Sequence, residues 1–228
     1  WLGRGEFCRG YNWARDLISF SNGLYDGIKT HSNPIIRAIP ITGPPLVNVP
    51  LYNSITMDSL RGLNQYIGNQ SANLYDFRRV ASVRIFDREF PSRNDLFQNK
   101  KMDITEFGYY SSPRNDFDNN WLNEKRIGWN TLVSLFDFLE NSLVGDIFYY
   151  ELLSQEGFST APDPMQGSFG LLDPSYNPKP AFTGLKNLFQ IFSDPNSNFE
   201  PGVLSYSITS NTIPSTPTGV KSSLYQKS

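Results

Sequence analysis

Apolar residues along this chain fall into amphipathic stripes separated by short continuous runs. Trp13, Leu17, Phe20, Leu24 and Ile28 step by three or four, which predicts a helix from Asn12, its cap, to about Lys29. Ser32-Asn33-Pro34 stops that pattern. Ile35–Thr42 (IIRAIPIT) then suits a short buried parallel strand, ended by Gly43-Pro44-Pro45. Met57, Leu60, Leu63 and Ile67 mark a second helix, and VASVRIF within Phe77–Phe86 a further strand. Asp87–Lys101 is polar with little periodicity, and Met102–Tyr109 forms the next strand. A long helix is expected over 119–141, burying Trp129, Leu132, Val133, Phe136 and Leu139; Trp121 also falls in it as core. Asp146–Leu153 (DIFYYELL) follows as a strand. A Gly/Pro/Ser loop runs to about Pro178, and then Ala181, Phe182, Leu185, Leu188, Phe189 and Phe192 trace a last amphipathic helix.

Alternating strands and helices predict an α/β fold with a parallel sheet and crossover helices. About four such units follow a leading helix, where a full (β/α)8 TIM barrel takes roughly 250 residues. The expectation is therefore the C-terminal half of such a barrel over 1–195. Past Phe199 the helical period disappears, and Val203–Thr209 and Val220–Gln226 alternate as strands. Residues 196–228 are thus expected to open a β-sandwich domain, with both ends of the chain reading as interrupted. A complete small α/β protein with a β tail is the alternative.

Composition narrows the function classes. Hydrophobic residues make up 39% of the 228 and charged residues 18%, enough apolar content to bury a core. A net charge of −2 leaves no electrostatic footprint for nucleic acid or an anionic membrane. No run approaches the roughly 20 apolar residues of a membrane span. Cys8 is the one cysteine and His31 the one histidine, so neither an internal disulfide nor a Cys/His zinc site can form within the chain. No metal or other cofactor is expected. Aromatics reach 14%, alongside many Asn, Ser, Gly and Pro, as in secreted carbohydrate-handling proteins, which points to an extracellular location. Aromatic-rich cores give the same composition.

The chemistry concentrates around MDITEFGYY, Met102–Tyr110, where an apolar run ends in a carboxyl group, Glu106, followed by Gly108 and aromatics. A strand end of this kind delivers Glu106 to a cleft or to a salt bridge. Tyr109, Tyr149 and Tyr150 are candidates for stacking or for donating a hydroxyl, or for core packing. By strand alternation Glu151 shares a face with Tyr149 and Ile147, lining the cleft or pairing with an arginine. Glu156, Asp163 and Asp173 punctuate the following loop as a subsite wall, a calcium site or plain solvated acids. His31 reads as a surface residue, and Asn69-Gln70-Ser71 fits a glycosylation sequon.

GDIFYYELLSQEG at 145–157 and GSFGLLDPSYNPKPAFTGLKNLFQIFSD at 167–194 resemble the last strand–helix unit of clan A retaining glycoside hydrolases. The match is carried by Phe169-Gly170-Leu171-Leu172 and Pro178-Lys179-Pro180-Ala181. ITEFG at Ile104–Gly108 resembles the seventh-strand motif of that family, and the two motifs occur in family order. Trp13–Lys29 looks like the helix after the fourth strand and Ile39–Pro44 like the fifth strand. The resemblance implies cleavage of β-glycosidic bonds with retention, a carbohydrate substrate, no redox cofactor, and further chain segments completing the barrel. It makes Glu106 the nucleophile and Glu6, in GRGEF, the acid/base, although Gly5 stands where the family carries the Asn that contacts the sugar 2-hydroxyl. Tyr109, Tyr149 and Glu151 become substrate-binding candidates. The family also brings a His or Tyr from its sixth strand to the nucleophile; Ser82–Phe90, where that strand is expected, holds no His. The rival expectations are a non-catalytic sugar-binding or structural protein on the same scaffold, and an unrelated α/β interaction protein.

Overall fold

A computed structural model describes residues 13–46, 54–75, 85–111, 123–155 and 166–193. Glu6, Trp121, Glu156, Asp163 and the expected β tail lie outside these residues. The described elements run α1 (Trp13–Lys29), α2 (Pro34–Ala38), β1 (Thr42–Leu46), α3 (Ser54–Leu60) with a 3-10 turn at Arg61–Gln65, β2 (Asn69–Leu74), α4 (Ile85–Phe97), β3 (Met102–Phe107), α5 (Glu124–Leu139), β4 (Val144–Tyr149) and α6 (Pro180–Phe192). The strands form one sheet in the order β1-β2-β3-β4, every neighbouring pair parallel. Among the described residues this is a mixed α/β fold with a four-stranded parallel sheet.

Several elements differ from the pattern-based expectation. IIRAIPIT is not a strand. Asn33 Oδ1 accepts the Ile35 amide at 2.9 Å and Pro34 occupies the first turn, so the residues that end α1 also start α2. The strand begins later, at Thr42, and carries Pro44 and Pro45 (TGPPL); it sits at an edge of the sheet formed by the described residues, where a missing amide donor is tolerated. The next described strand is NQSANL, Asn69–Leu74, ahead of the expected VASVRIF, of which Ile85 and Phe86 open α4 and the rest lies outside the described residues. Asn69 of the expected sequon lies within this strand with its amide bound to Asp103, and Gln70 and Ser71 are buried. Asp87–Lys101, read as irregular, is mostly α4.

Two apolar layers hold the sheet. Ala72, Leu74, Met102, Ile104 and Phe107 pack on Ile127, Phe138 and Ala181 of α5 and α6, with Ile147 and Tyr149 alongside. Leu46, Leu60, Leu63, Ile67, Leu96 and Phe97 form a second cluster against Ala14, Leu17, Ile18, Tyr25 and Ile28 of α1. The helix stripes are rotated from those expected. In α5 the inward residues are Ile127, Thr131, Ser134, Leu135 and Phe138, while Trp129 and Leu139 are exposed. In α1, Phe20 and Leu24 are exposed in the same way. Small residues such as Thr131 and Ser134 fit a tightly packed helix–sheet interface, and hydrophobicity alone does not register that.

The opposite face of the sheet is polar. Across β2 and β3 the pairs Gln70–Met102, Ala72–Ile104 and Leu74–Phe107 face the helices, leaving Ser71 with Asp103 and Asn73 with Glu106 on the other side. Asp103 ties all four strands together there. It accepts from Thr42 Oγ1 at 2.8 Å (β1), from Asn69 Nδ2 at 3.1 Å (β2) and from the Asp146 amide at 3.2 Å (β4). A side chain at Gly145 would overlap the Asp103 carboxyl, so glycine is required for this approach. The fully buried Arg93 of α4 closes the end of β1 by donating to the carbonyls of Leu46 and Ser71.

Candidate functional site

Parallel strands aim their carboxyl ends at one rim of the sheet, where ligand sites of α/β folds collect. Glu106, the penultimate residue of β3, stands at that rim. Tyr75, the residue that follows β2, donates its hydroxyl to Glu106 Oε2 at 2.6 Å. Tyr75 is not legible as this partner from sequence: the sixth strand is expected at Ser82–Phe90, because NQSANL lacks the apolar content of a recognisable strand. The available signal was a tyrosine directly before a turn-prone aspartate, Tyr75-Asp76.

Aromatic rings enclose the pair. Phe169 sits edge-on to Tyr75 at 5.7 Å and to Tyr150 at 5.5 Å, and its ring lies 5.2 Å from that of Tyr110. Tyr75 and Tyr150 meet edge-on at 6.5 Å. The FGLL residues of the sequence motif therefore build this wall through Phe169. Gly108 lets the chain after Glu106 pass close under Tyr150, since a side chain at Gly108 would overlap the Tyr150 carbonyl.

The electrostatics follow from this crowding. Burial, then the hydrogen bond and charge of Glu106, push the Tyr75 phenol well above the ordinary tyrosine range, so Tyr75 is a donor at neutral pH. Tyr150 is shifted the same way by burial, with the charges of Glu151 and Glu106 adding to it. Glu151 thus joins the group. Among the described residues its Oε1 is buried without a hydrogen-bond partner, and Oε2 has only a long 3.4 Å contact from Gln155 Nε2. Burial raises the Glu151 carboxyl, while Gln155 and Lys179 draw it back. The Tyr150–Glu151 peptide bond is cis.

Tyr109 and Tyr149 sit elsewhere. The Tyr109 hydroxyl shares a 2.5 Å hydrogen bond with Ser134 of α5, and the Tyr149 ring packs edge-on to Phe107 at 5.2 Å. Both lie between sheet and helices, on the face away from the Glu106 side chain. The Tyr149 phenol is pushed up to about 12, mainly by burial. β4 ends at Tyr149, so the alternation expected to put Glu151 on its face does not extend to Glu151.

A polar clasp braces the wall from behind. Lys179 Nζ reaches Glu124 Oε1 at 3.2 Å and the Ser168 carbonyl at 3.0 Å. Ser111 Oγ donates to the same Glu124 oxygen at 2.6 Å, and the Ser168 hydroxyl donates to the Ser111 carbonyl. The loop after β3 and the turn before Phe169 are thereby joined to the first turns of α5 and α6. Asp173 serves its own turn, accepting from the amides of Ser175 and Asn177. Hydrogen bonds from Asn177 lower its carboxyl pKa. His31 is exposed and accepts the Asn33 amide through Nδ1. No group of three or more metal-ligating side chains occurs among the described residues, and no described helix is long and apolar enough to cross a membrane.

No family model matches this chain, and no curated protein matches it. Solved structures do resemble it. One is BpGH50, at 16% identity and a TM-score of 0.53, covering 81% of this chain and 39% of its own. A second is an active-site mutant of the Rhizomucor miehei β-1,3-glucanosyltransferase in complex with laminaritriose (11% identity, TM-score 0.51, 74% of this chain, 56% of its own). A third is the Ruminococcus gnavus β-glucuronidase in complex with uronic isofagomine (13% identity, TM-score 0.52, 75% of this chain, 29% of its own). The chain spans less than two thirds of the length of each. At these identities the likeness is one of fold: the chain has a glycosidase-like α/β scaffold.

Proposed function

We propose that this chain is the C-terminal part of a (β/α)8 glycoside hydrolase that cleaves β-glycosidic bonds with retention, in an extracellular setting. Residues 1–195 would supply the barrel portion and 196–228 the start of a β-sandwich, with further segments completing the barrel. The observation that carries this function is the 2.6 Å hydrogen bond from Tyr75 to Glu106 at the carboxyl rim of a parallel sheet, inside an aromatic enclosure. Retaining hydrolysis uses two carboxyl groups about 5–5.5 Å apart, one a nucleophile and the other an acid/base. Glu106 is the nucleophile. With Oε2 held by Tyr75, Oε1 attacks the anomeric carbon and displaces the aglycone oxygen, which takes a proton from the acid/base. The same acid/base then removes a proton from water, which attacks the anomeric carbon and frees Glu106. Glu6 is assigned that second role on its motif alone. Glu151 and Tyr150 contact the sugar, whereas Tyr109 and Tyr149 support β3 and β4 from the helix side. The substrate is a carbohydrate; solved structures of similar fold are in complex with laminaritriose and uronic isofagomine.

Incubation with an activated 2-fluoro glycoside followed by peptide mass analysis tests this. A covalent sugar on Glu106 is expected; a folded chain that takes up none, across gluco, galacto and manno probes, is not this enzyme. Gly5, in place of the family's Asn, favours the second reading, a sugar-binding protein without turnover on the same scaffold. In that case the sugars bind and Glu106 remains unlabelled.

A further inference from the structure

The buried Oε1 of Glu151 has no hydrogen-bond donor among the described residues, and Oε2 has only the long contact from Gln155. A buried acceptor left open costs stability that a bound donor restores. Tyr150, whose ring meets Tyr75 and Phe169 in the wall beside Glu106, directly precedes Glu151, and the Glu151 carbonyl accepts the Leu171 amide two residues after Phe169, so two carboxyl groups border one aromatic enclosure. The cation in reach of Glu151 is Lys179, and it is engaged by Glu124 and the Ser168 carbonyl. An acidic sugar would bring a third carboxylate into this half-desolvated space, where like charges repel more than they do in water. A neutral sugar brings what Glu151 lacks, hydroxyl groups that donate.

We infer that Glu151 is the specificity-determining residue of this site: it receives the hydroxyls of a neutral β-glycoside and turns uronic acid glycosides away. The inference rests on the glycosidase reading of the same cleft. It sets this chain apart from the Ruminococcus gnavus β-glucuronidase, which shares the scaffold and was solved with a uronic ligand.

The test is calorimetric binding to the full chain at pH 7 of isofagomines in gluco and galacto configuration, each as the neutral and the uronic compound. In the pair that binds, the neutral member is expected to bind at least tenfold tighter. Glu151→Gln, which removes the charge and one acceptor, is expected to shrink that ratio at least fivefold, mainly by weakening the neutral ligand. The unaltered chain is measured first, so the outcome is decisive even if the variant does not fold. Equal or tighter uronic binding overturns the inference while leaving the glycosidase reading intact. So does a ratio that Glu151→Gln leaves unchanged. If no isofagomine binds and no fluoro sugar labels Glu106, the glycosidase reading falls and this inference falls with it.

Discussion

The Tyr75 hydroxyl donates to Glu106 Oε2 across 2.6 Å, linking the residue after β2 to the penultimate residue of β3. Tyr75→Phe removes that donor and keeps the ring that packs against Tyr150 and Phe169. A hydrogen bond to a charged group is worth about 1.5–3 kcal/mol. Labelling of Glu106 by a 2-fluoro glycoside is therefore expected to slow by roughly tenfold to hundredfold, and the unfolding free energy to fall by up to about the same 1.5–3 kcal/mol. An unaltered labelling rate would mean that Tyr75 does not hold Glu106, the proposed nucleophile.

How far the chain can be read without coordinates depends on where its polar residues go. Met102–Phe107 and α6 are legible because apolar residues mark where they run, although Phe189 and Phe192 of the expected α6 stripe are exposed and only Ala181, Leu185 and Leu188 are buried. NQSANL is not, because one face of β2 carries Asn69, Ser71 and Asn73 into the polar side of the sheet, where Asp103 and Thr105 bind two of them. A strand that is half polar by design looks like a turn. With β2 hidden in this way, the pattern puts the partner strand of Glu106 beyond Tyr75. Glu106 itself was legible as a strand-end carboxyl group; the convergence of Tyr75, Tyr150 and Phe169 on it was not, since these residues are separated by long stretches of sequence.

Asp103 predicts a stability effect. Asp103→Ala strips Thr42, Asn69 and the Asp146 amide of one acceptor at once, on the three other strands of the sheet. Each donor left buried and unsatisfied costs about 1–3 kcal/mol, partly relieved where water reaches it. A loss of about 2–4 kcal/mol is expected in urea unfolding of the full chain. A change below about 0.5 kcal/mol would show that the four strands hold their register without this hub.

Tyr149 predicts an alkaline limit. Burial raises its phenol from 10.0 to about 12, so the folded state binds this proton more tightly than the unfolded state does. The stability linked to it is fully present below about pH 10 and is lost as pH rises toward 12. At 1.36 kcal/mol per unit the loss totals roughly 3 kcal/mol across that window. Tyr149→Phe has no proton to lose. Its unfolding free energy is expected to fall less steeply than that of the unaltered chain between pH 10 and 12, with Tyr75 and Tyr150 contributing a residual slope in both. Parallel curves would place the ionisation elsewhere.

Lys179 predicts a coupling between the clasp and the site. Its ammonium holds Glu124, on the first turn of α5, and the Ser168 carbonyl, one residue before Phe169. With 12% of the Lys179 side chain and 34% of the Glu124 side chain exposed, the pair sits between a surface and a buried ion pair. Lys179→Met should therefore cost about 1–3 kcal/mol, more than the roughly 0–1 of exposed pairs and less than the 3–5 of fully buried ones. The larger consequence is positional. Glu124 keeps Ser111 but loses its cation, and the turn carrying Phe169 loses a tie to α6, so the aromatic wall over Glu106 and Tyr75 loosens. The apparent affinity for the fluoro glycoside is expected to weaken about tenfold, while the maximal labelling rate, set by Glu106 and Tyr75, changes less. Lys179→Arg, which keeps the charge and the donors, should recover most of that affinity. If Lys179→Met and Lys179→Arg bind the probe equally well, the clasp braces the fold and does not position the wall.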